Sequence, residues 1–452
     1  LIYIEVAVSN LMLEDSVIGK LLNRLLSMDT KEIYGTLENN SLGISDTKEL
    51  FTLEEAMAAM FAGNAVLFVD GYDRAIKIGS KGYPGSGVQK TDSEKGLRGS
   101  KEAFSESVKM NTALIRKRIR NAKMKAEEKQ VGRYSATTTA LLYLDGVVYL
   151  PICEEMRKRL DAFEVDGIED GGMIEYLTRK KKEGRFPVYQ TTERPDRAAQ
   201  AILEGRVVLL TDNSPEALIF PATLNSLFQT ADDYYRNERI VTFLRLIRYV
   251  AAFLALALPG LYVAAATFHP QLLPGNLIRS MAEARSGVPF PTAAEVLLME
   301  LSFELLREAG LRMPGPAGNT IGIVGGLIVG QAAVSANLVS PITVTVAALT
   351  ALGSFSIPNE ELSEVFRLWK YGILLLGSCF GILGVMLGCF LLLMLMAEQE
   401  SYGIPWLYPY VGGNLNERAD EKDSMFLAAA RKRKRRPIFA KWGNRIRFRR
   451  KS

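Results

Sequence analysis

At 452 residues, with 55 Lys and Arg against 50 Asp and Glu, the chain is long enough for about two to four domains and carries a formal charge of +5. Three cysteines, Cys153, Cys379 and Cys389, are too scattered for a disulfide frame or a zinc site, and the lone histidine, His269, has no Cys or His partner for a metal. The chain has no Gly-x-x-x-x-Gly-Lys-Ser/Thr phosphate loop, no Gly-x-Ser-x-Gly nucleophile turn and no His for an ordinary triad, so neither an enzyme nor a cofactor is expected.

The first 240 residues read as water-soluble and contain an internal repeat. Leu1–Glu5 reads as a strand before a helical Leu11–Leu26. Ala56–Gly63 then reads as a helix with a glycine stop, followed by strand Ala65–Val69, an Asp70-Gly71 turn and strand Ala75–Ile78. Gly79–Gly99 is a Gly-, Lys- and Ser-rich loop, and Lys101–Lys129 is a charged helix-forming region with apolar Phe104, Val108, Leu114, Ile115 and Ile119. Leu141–Asp145 and the helical Cys153–Phe163 repeat the opening. About 142 residues after the first copy, Ala198–Gly205, Val207–Thr211, an Asp212-Asn213 turn and Ala217–Phe220 repeat the rest. The fold expected is an α+β cytosolic region of two duplicated subdomains, 1–97 and 98–240, followed by a helical transmembrane domain over 241–400 and a basic tail over 401–452. No secretory signal peptide is read at the start, which places the soluble region in the cytosol.

Three long stretches lack Asp, Glu, Lys and Arg: Tyr249–Ile278, Met313–Asn359, which runs for roughly 47 residues, and Tyr371–Ala397. A bilayer core takes about 20 apolar residues per helix, so these belong in a membrane. Arg236, Arg239, Arg245 and Arg248 form a basic collar at the first span and put its N-terminal side in the cytosol; the basic tail does the same for the C-terminus. An even number of spans follows. Four are expected, at 243–268, 319–338, 341–357 and 367–397, with Pro341 marking a break before the short third; six fit if other segments thread in pairs.

Between the first two spans, Thr292–Glu295 has the form of a capping box and opens a helix over 292–309. Glu300, Glu304 and Glu308 share one face of it. This helix either lies in the interface, the reading favoured here, or turns its acids toward a water-filled path. The following segment is rich in small residues, including Gly322, Gly325, Gly326 and Gly330, which allow close helix packing. Thr320, Gln331, Ser335, Asn337, Thr343 and Thr345 dot it with polar groups that need partners in lipid. They are either interhelical glue or the lining of an ion pathway. The last 22 residues hold about a dozen Lys and Arg and no acid. Arg431, Lys432, Arg433, Lys434, Arg435 and Arg436, with Arg245 and Arg248, are expected at the anionic membrane surface rather than on nucleic acid.

Several runs resemble the spore germination protein family that includes the A subunits of germinant receptors. They include Arg98–Phe104, Asn111–Ile119, Thr192–Asp196, Glu204–Val207, Phe220–Thr223 and Phe228–Tyr235, then Leu258–Ala264, Phe268-His269-Pro270, Glu304–Gly310, Ile321–Gly326 and Gly330–Val334. The likeness spans most of residues 45–425. It implies a multi-pass protein of the inner membrane of bacterial spores, working with a transporter-like B subunit that senses nutrients and a C-type lipoprotein. It also implies assembly into a homo-oligomeric, pentameric ion channel whose release of small cations starts germination. The sequence departs from the family at Gly132-Arg133-Tyr134-Ser135-Ala136-Thr137, where a Gly-Arg-Lys-Ser-type turn is usual, and in its Ala- and Arg-rich tail. A receptor A subunit and the related accessory protein encoded with the spore dipicolinate-channel proteins both stay open. A cation-channel subunit is the leading expectation, a non-conducting scaffold the alternative, and a secondary transporter a weaker third, since no inverted repeat is found in the membrane half.

Overall fold

The computed structural model describes residues 1–3, 23–28, 32–33, 47–80, 94, 98–180, 183–312, 326, 329–411, 422–429, 431–441, 443 and 445–446. Of the expected helix Leu11–Leu26 only Asn23–Leu26 falls among them, and it is helical. Most of the Gly79–Gly99 loop, Thr320, Gly322 and Gly325 lie outside the described residues.

The first soluble unit is β1 (Thr47–Leu50), α1 (Leu53–Phe61), β2 (Ala65–Phe68) and β3 (Ala75–Ile78), an antiparallel sheet in the order β1-β3-β2. The second comprises α2 (Val108–Arg118), β4 (Met124–Val131), β5 (Thr137–Leu144), α3 (Leu150–Asp161), α4 (Gly171–Thr178), β6 (Gln190–Thr192), α5 (Pro195–Glu204), β7 (Val207–Thr211) and β8 (Ala217–Phe220). Its sheet runs β4-β5-β7-β8-β6.

A few pairings recur in the two units. Leu50 pairs with Ala75 as Thr192 pairs with Ala217, and the bridge of Ile2 to Val66 matches the pairing of Leu142 with Val208. Gly63 and Gly205 end the two helices at φ +85° and +95°, a conformation that costs glycine little. The correspondence covers these segments alone. Strand β4 has no counterpart among the described residues of the first unit.

Lys101–Lys129 was expected to be helix-forming; Val108–Arg118 is helical, and Met124–Lys129 instead forms part of β4. The Glu, Lys and Ala content favours helix, but pairing of Met124–Val131 with β5 overrides it, and a charged strand suits the sheet edge it occupies. Inward residues alternate between two cores. Leu141, Tyr143, Leu209 and Phe220 face α3 and α4, while Leu142, Leu144, Val208 and Ile219 face α2 and α5. Both faces of the sheet are covered, so β7 reads as an unbroken apolar run.

After α6 (Leu224–Phe228) and a 3₁₀ turn at Ala231–Tyr235, the chain enters a bundle: α7 (Glu238–Thr267), α8 (Gly275–Arg285), α9 (Thr292–Arg312), helical residues 329–335, α10 (Pro341–Phe355) and α11 (Glu360–Glu398). By length and composition α7 and α11 can each cross a bilayer. The last of these is not one rod. Gly381 sits at φ +64°, ψ −143° inside α11. A Cβ on Gly384 would lie 2.0 Å from the Leu376 carbonyl oxygen, and one on Gly388 would lie 2.9 Å from the Ile373 side chain. Residues on either side of Gly381 therefore face one another, and α11 folds back as a tight hairpin.

Both ends of that hairpin meet the second soluble unit. Arg179 reaches Glu361 at 3.9 Å, Arg185 pairs with Glu398 at 2.8 Å, and Gln399 donates to the Glu183 and Phe186 carbonyls. Its tip at Gly381 lies against Phe268 and His269, where α7 ends.

Helix 292–309 was favoured as an interfacial segment. Instead α9 packs within the bundle, burying Val296 against Val263 and Leu374, and Met299 against Ala333, Val339 and Ala347. Among the described residues, close approach by small residues also lies elsewhere than expected. Gly377 abuts Gly260, and Gly353 meets Ala251 and Ala255, whereas Gly326 and Gly330 make ordinary side-chain contacts.

Candidate functional site: the polar seam of the bundle and its junction with the soluble unit

Where α7 leaves the soluble unit, two carboxylates gather three arginines. Arg245, 1% exposed, donates from Nε to Asp233 and from Nη1 to Asp423, both at 3.0 Å, and to the Ser424 carbonyl at 2.6 Å. Arg248 closes a two-pronged pair on Asp233 at 2.9 Å, and Arg433 reaches Asp423 at 3.1 Å. Tyr234 donates to Asp423 at 3.2 Å, and Thr242 accepts from the Leu427 amide. Burial alone would raise the Asp233 carboxyl; the hydrogen bonds and charge of Arg248 and Arg245 outweigh it and hold the carboxyl below its ordinary range.

Arg245, Arg248 and Arg433 were expected to anchor the membrane surface. They are corrected here to internal partners, because Asp233 and Asp423 offer buried carboxylates within reach. Arg436 also turns inward, donating to the Leu203 and Ile446 carbonyls. Arg431, Lys432, Lys434 and Arg435 stay exposed. The tail itself is folded onto the soluble unit. Phe439 joins its core, Val148 bridges Ala440, and the Lys441 amide donates to the Val147 carbonyl at 2.7 Å.

Deeper in the bundle, α9 runs antiparallel to the first arm of α11 and the two share a ladder of charges. Lys370 Nζ lies 2.6 Å from Glu300 with side-chain exposures of 6% and 2%. Arg367 pairs with Glu304, and Arg307 lies 3.6 Å from Glu360. Glu308, the third acid of the expected face, is exposed. Glu295 was expected to close a capping box on its own helix. Fully buried, it instead accepts from Arg285 at 3.1 Å, the Ser340 amide at 2.9 Å and the Thr343 hydroxyl at 3.1 Å, fixing the start of α10.

The remaining expected residues divide. Thr343 is buried on Glu295, with the Tyr262 hydroxyl 3.4 Å away. Gln331, Ser335, Asn337 and Thr345 are exposed on the surface of the single chain; Thr345 returns its hydroxyl to the Pro341 carbonyl, and Asn337 has φ +53° beside Gly287. Thr320 lies outside the described residues.

Sequence reasoning missed Asp233, Glu295, Arg367, Lys370 and Asp423 as partners. Charges placed just before or after apolar runs were the available signal. Cys153 is no candidate nucleophile, since burial pushes its thiol up to about 12. Among the described residues no group of three or more His, Cys, Asp or Glu side chains can hold a metal ion.

Comparison with known proteins gives the lineage. Residues 1–439 match the model of the Bacillus/Clostridium GerA spore germination protein. The chain is 36% identical over 429 residues to the uncharacterized membrane protein YfkQ of Bacillus subtilis (strain 168), covering 95% of this chain and 82% of that protein. It is 34% identical over 408 residues to spore germination protein KA of the same organism, covering 90% and 75%. A solved structure, the N-terminal domain of the A subunit of the Bacillus megaterium spore germinant receptor GerK3, aligns at 25% identity and a TM-score of 0.37 over 49% of this chain and 81% of that one. The chain belongs to the GerA family of spore germination proteins.

Proposed function

We propose that this chain is a membrane-embedded subunit of a germinant receptor in the inner spore membrane, and that copies of it assemble into an oligomeric cation channel that opens on nutrient signals. The observation that carries the reading is the placement of Gln331, Ser335, Asn337 and Thr345. These polar residues lie on the outside of a single chain, within an otherwise apolar segment, while Glu300 and Glu304 of α9 pair with Lys370 and Arg367. Hydrocarbon is a costly neighbour for amides and hydroxyls, so this face calls for water or another copy.

Six crossings follow from the same reading: α7, α9, the helix through 329–335, α10 and the two arms of α11. Both ends of the bundle are then cytosolic, and a transporter-like B-type subunit and a C-type lipoprotein are the partners of the complex. Purified protein in potassium-loaded liposomes is expected to release the cation, with Gln331→Leu and Asn337→Leu changing the rate about tenfold or more. Tight liposomes with either variant and with the parent protein refute the channel.

The pairing of Lys370 with Glu300 favours a second reading, a non-conducting scaffold, because it leaves no free charge in that seam to attract an ion. Cross-linking separates the two. A closed ring of copies supports the channel, and a single copy beside a transporter-like partner supports the scaffold.

A further inference from the structure

One buried cation at the junction has no ion-pair partner among the described residues. Arg197 on α5 is 4% exposed and, among the described residues, forms no ion pair. Its side chain makes one long hydrogen bond, from Nη2 to the Ser226 carbonyl at 3.5 Å, and stands 6.0 Å from the Tyr234 ring; its Nε has no partner. Arg206 nearby adds to the positive field. Among the described residues it too is bonded only to neutral acceptors, Pro221 O at 2.9 Å and Gln190 Oε1 at 3.0 Å.

Arg197 lines a cavity of about 300 Å³ between α5, the 229–236 turn, the start of α7 and the Pro358-Asn359 corner. The other arginines on its wall are already matched. Arg194 holds Asp196 at 2.9 Å and Asp232 at 3.7 Å, Arg236 shares Asp232 at 3.7 Å, and Arg248 holds Asp233. The remaining acid on the wall, Glu94, accepts the Thr192 hydroxyl at 2.6 Å; burial raises its carboxyl, against the pull of that hydrogen bond and of the Arg197 and Arg194 charges. Arg197 is thus the arginine on this wall that no carboxylate of the described residues holds within 4 Å, in a space that takes a phosphate-sized ion with several waters at about 30 Å³ each.

We propose that this cavity binds a small oxyanion of the phosphate or carboxylate class, with Arg197 as the charge that selects it. The planar guanidinium fork suits two oxygens of such a group, and a buried cation that no carboxylate bonds is costly to keep. The site joins α5 of the soluble unit to α7 and the α10–α11 corner, so its occupant braces the bundle against the soluble unit. It stands whether or not the chain conducts ions. The oxyanion comes either from solution or from a phospholipid headgroup, since the cavity lies beside the first turns of α7.

Equilibrium dialysis tests it, using the full chain in detergent, stripped of lipid, with radiolabelled inorganic phosphate at ionic strength fixed by sodium chloride. Saturable binding of about one phosphate per chain with Kd near or below about 1 mM is expected. Arg197→Met should weaken it about tenfold or more, with Arg197→Lys between. A parallel arm reloads the stripped protein with phosphatidylglycerol. Loss of phosphate binding there identifies a headgroup as the occupant, and unchanged binding identifies a soluble oxyanion; both uphold the site. Absence of saturable phosphate binding by the stripped parent protein overturns the proposal, and so does undiminished binding by Arg197→Met. Should the Met variant fail to fold, Arg197→Lys with parental affinity overturns it equally.

Discussion

Replacing Gly384 by alanine tests the hairpin of α11 more sharply than any change of charge. A Cβ there would stand 2.0 Å from the Leu376 carbonyl oxygen and 2.5 Å from its carbon. An ordinary carbon–oxygen approach is about 3.3 Å, so the arms must separate by about 1.3 Å. Overpacking costs about 1–3 kcal/mol when side chains can yield, and a backbone carbonyl yields less, which places the cost at about 3 kcal/mol. Helix propensity returns about 1 kcal/mol, for a net loss of about 2 kcal/mol. On an uninterrupted rod the same substitution would meet nothing and stabilise by about 1 kcal/mol, so the sign alone decides. Gly372, with nothing within 4 Å, is the internal control, and its alanine variant is expected to be neutral or slightly stabilised. Unfolding in mixed detergent micelles against increasing dodecyl sulfate gives both free energies. A Gly384→Ala protein as stable as the parent, or more so, refutes the hairpin.

Lys370→Met should destabilise by about 3–5 kcal/mol in the same titration, because it strands the Glu300 carboxylate in the bundle; adding Glu300→Leu should restore most of the loss. A double variant no better than the single would show that the pair is not isolated. Asp423→Asn removes the charge shared by Arg245, Arg433 and Tyr234, and is expected to cost about 2 kcal/mol. It should also speed tryptic cleavage within Arg431–Arg436 about tenfold, and an unchanged digestion rate would sever Asp423 from the docking of the tail. Asp233 has a depressed carboxyl, so its contribution is fully present above the unfolded value of about 4 and is lost as pH falls through the lower folded value. Thermal midpoints between pH 6 and 3 should therefore fall less steeply in Asp233→Asn than in the parent, and parallel curves would count against this linkage.

What was legible in the sequence was local. The glycine stops, the turns at Asp70-Gly71 and Asp212-Asn213, and the apolar stretches are properties of a few adjacent residues, and the structure follows them. Partners distant in the chain were not legible. Arg245 and Arg433 read as membrane anchors because the acid that holds both, Asp423, is separated from Arg245 by the whole bundle. Helix 292–309 read as interfacial because it carries charges between two apolar spans, and the cations that hold its acids, Lys370 and Arg367, lie beyond two further helices. Met124–Lys129 read as helix because an edge strand takes its shape from the neighbouring strand. The turn-back at Gly381 was hidden since Gly377, Gly381, Gly384 and Gly388 recur at spacings that also suit packing along a continuous rod.

The break at Gly381 bears on the lipid as well as on the fold. Helix α10 has 15 residues, a rise of about 22 Å, and the arm from Gly381 to Glu398 gives about 25 Å. A hydrocarbon slab of about 30 Å is thicker than either. Surrounded by lipid, such a bundle pinches the membrane or recruits neighbours to hide the difference, at a fraction of a kcal/mol for each Å. Its resting shape is thereby tied to the thickness and order of the acyl chains around it. A bilayer that thins would pull on the same helices that carry the paired charges.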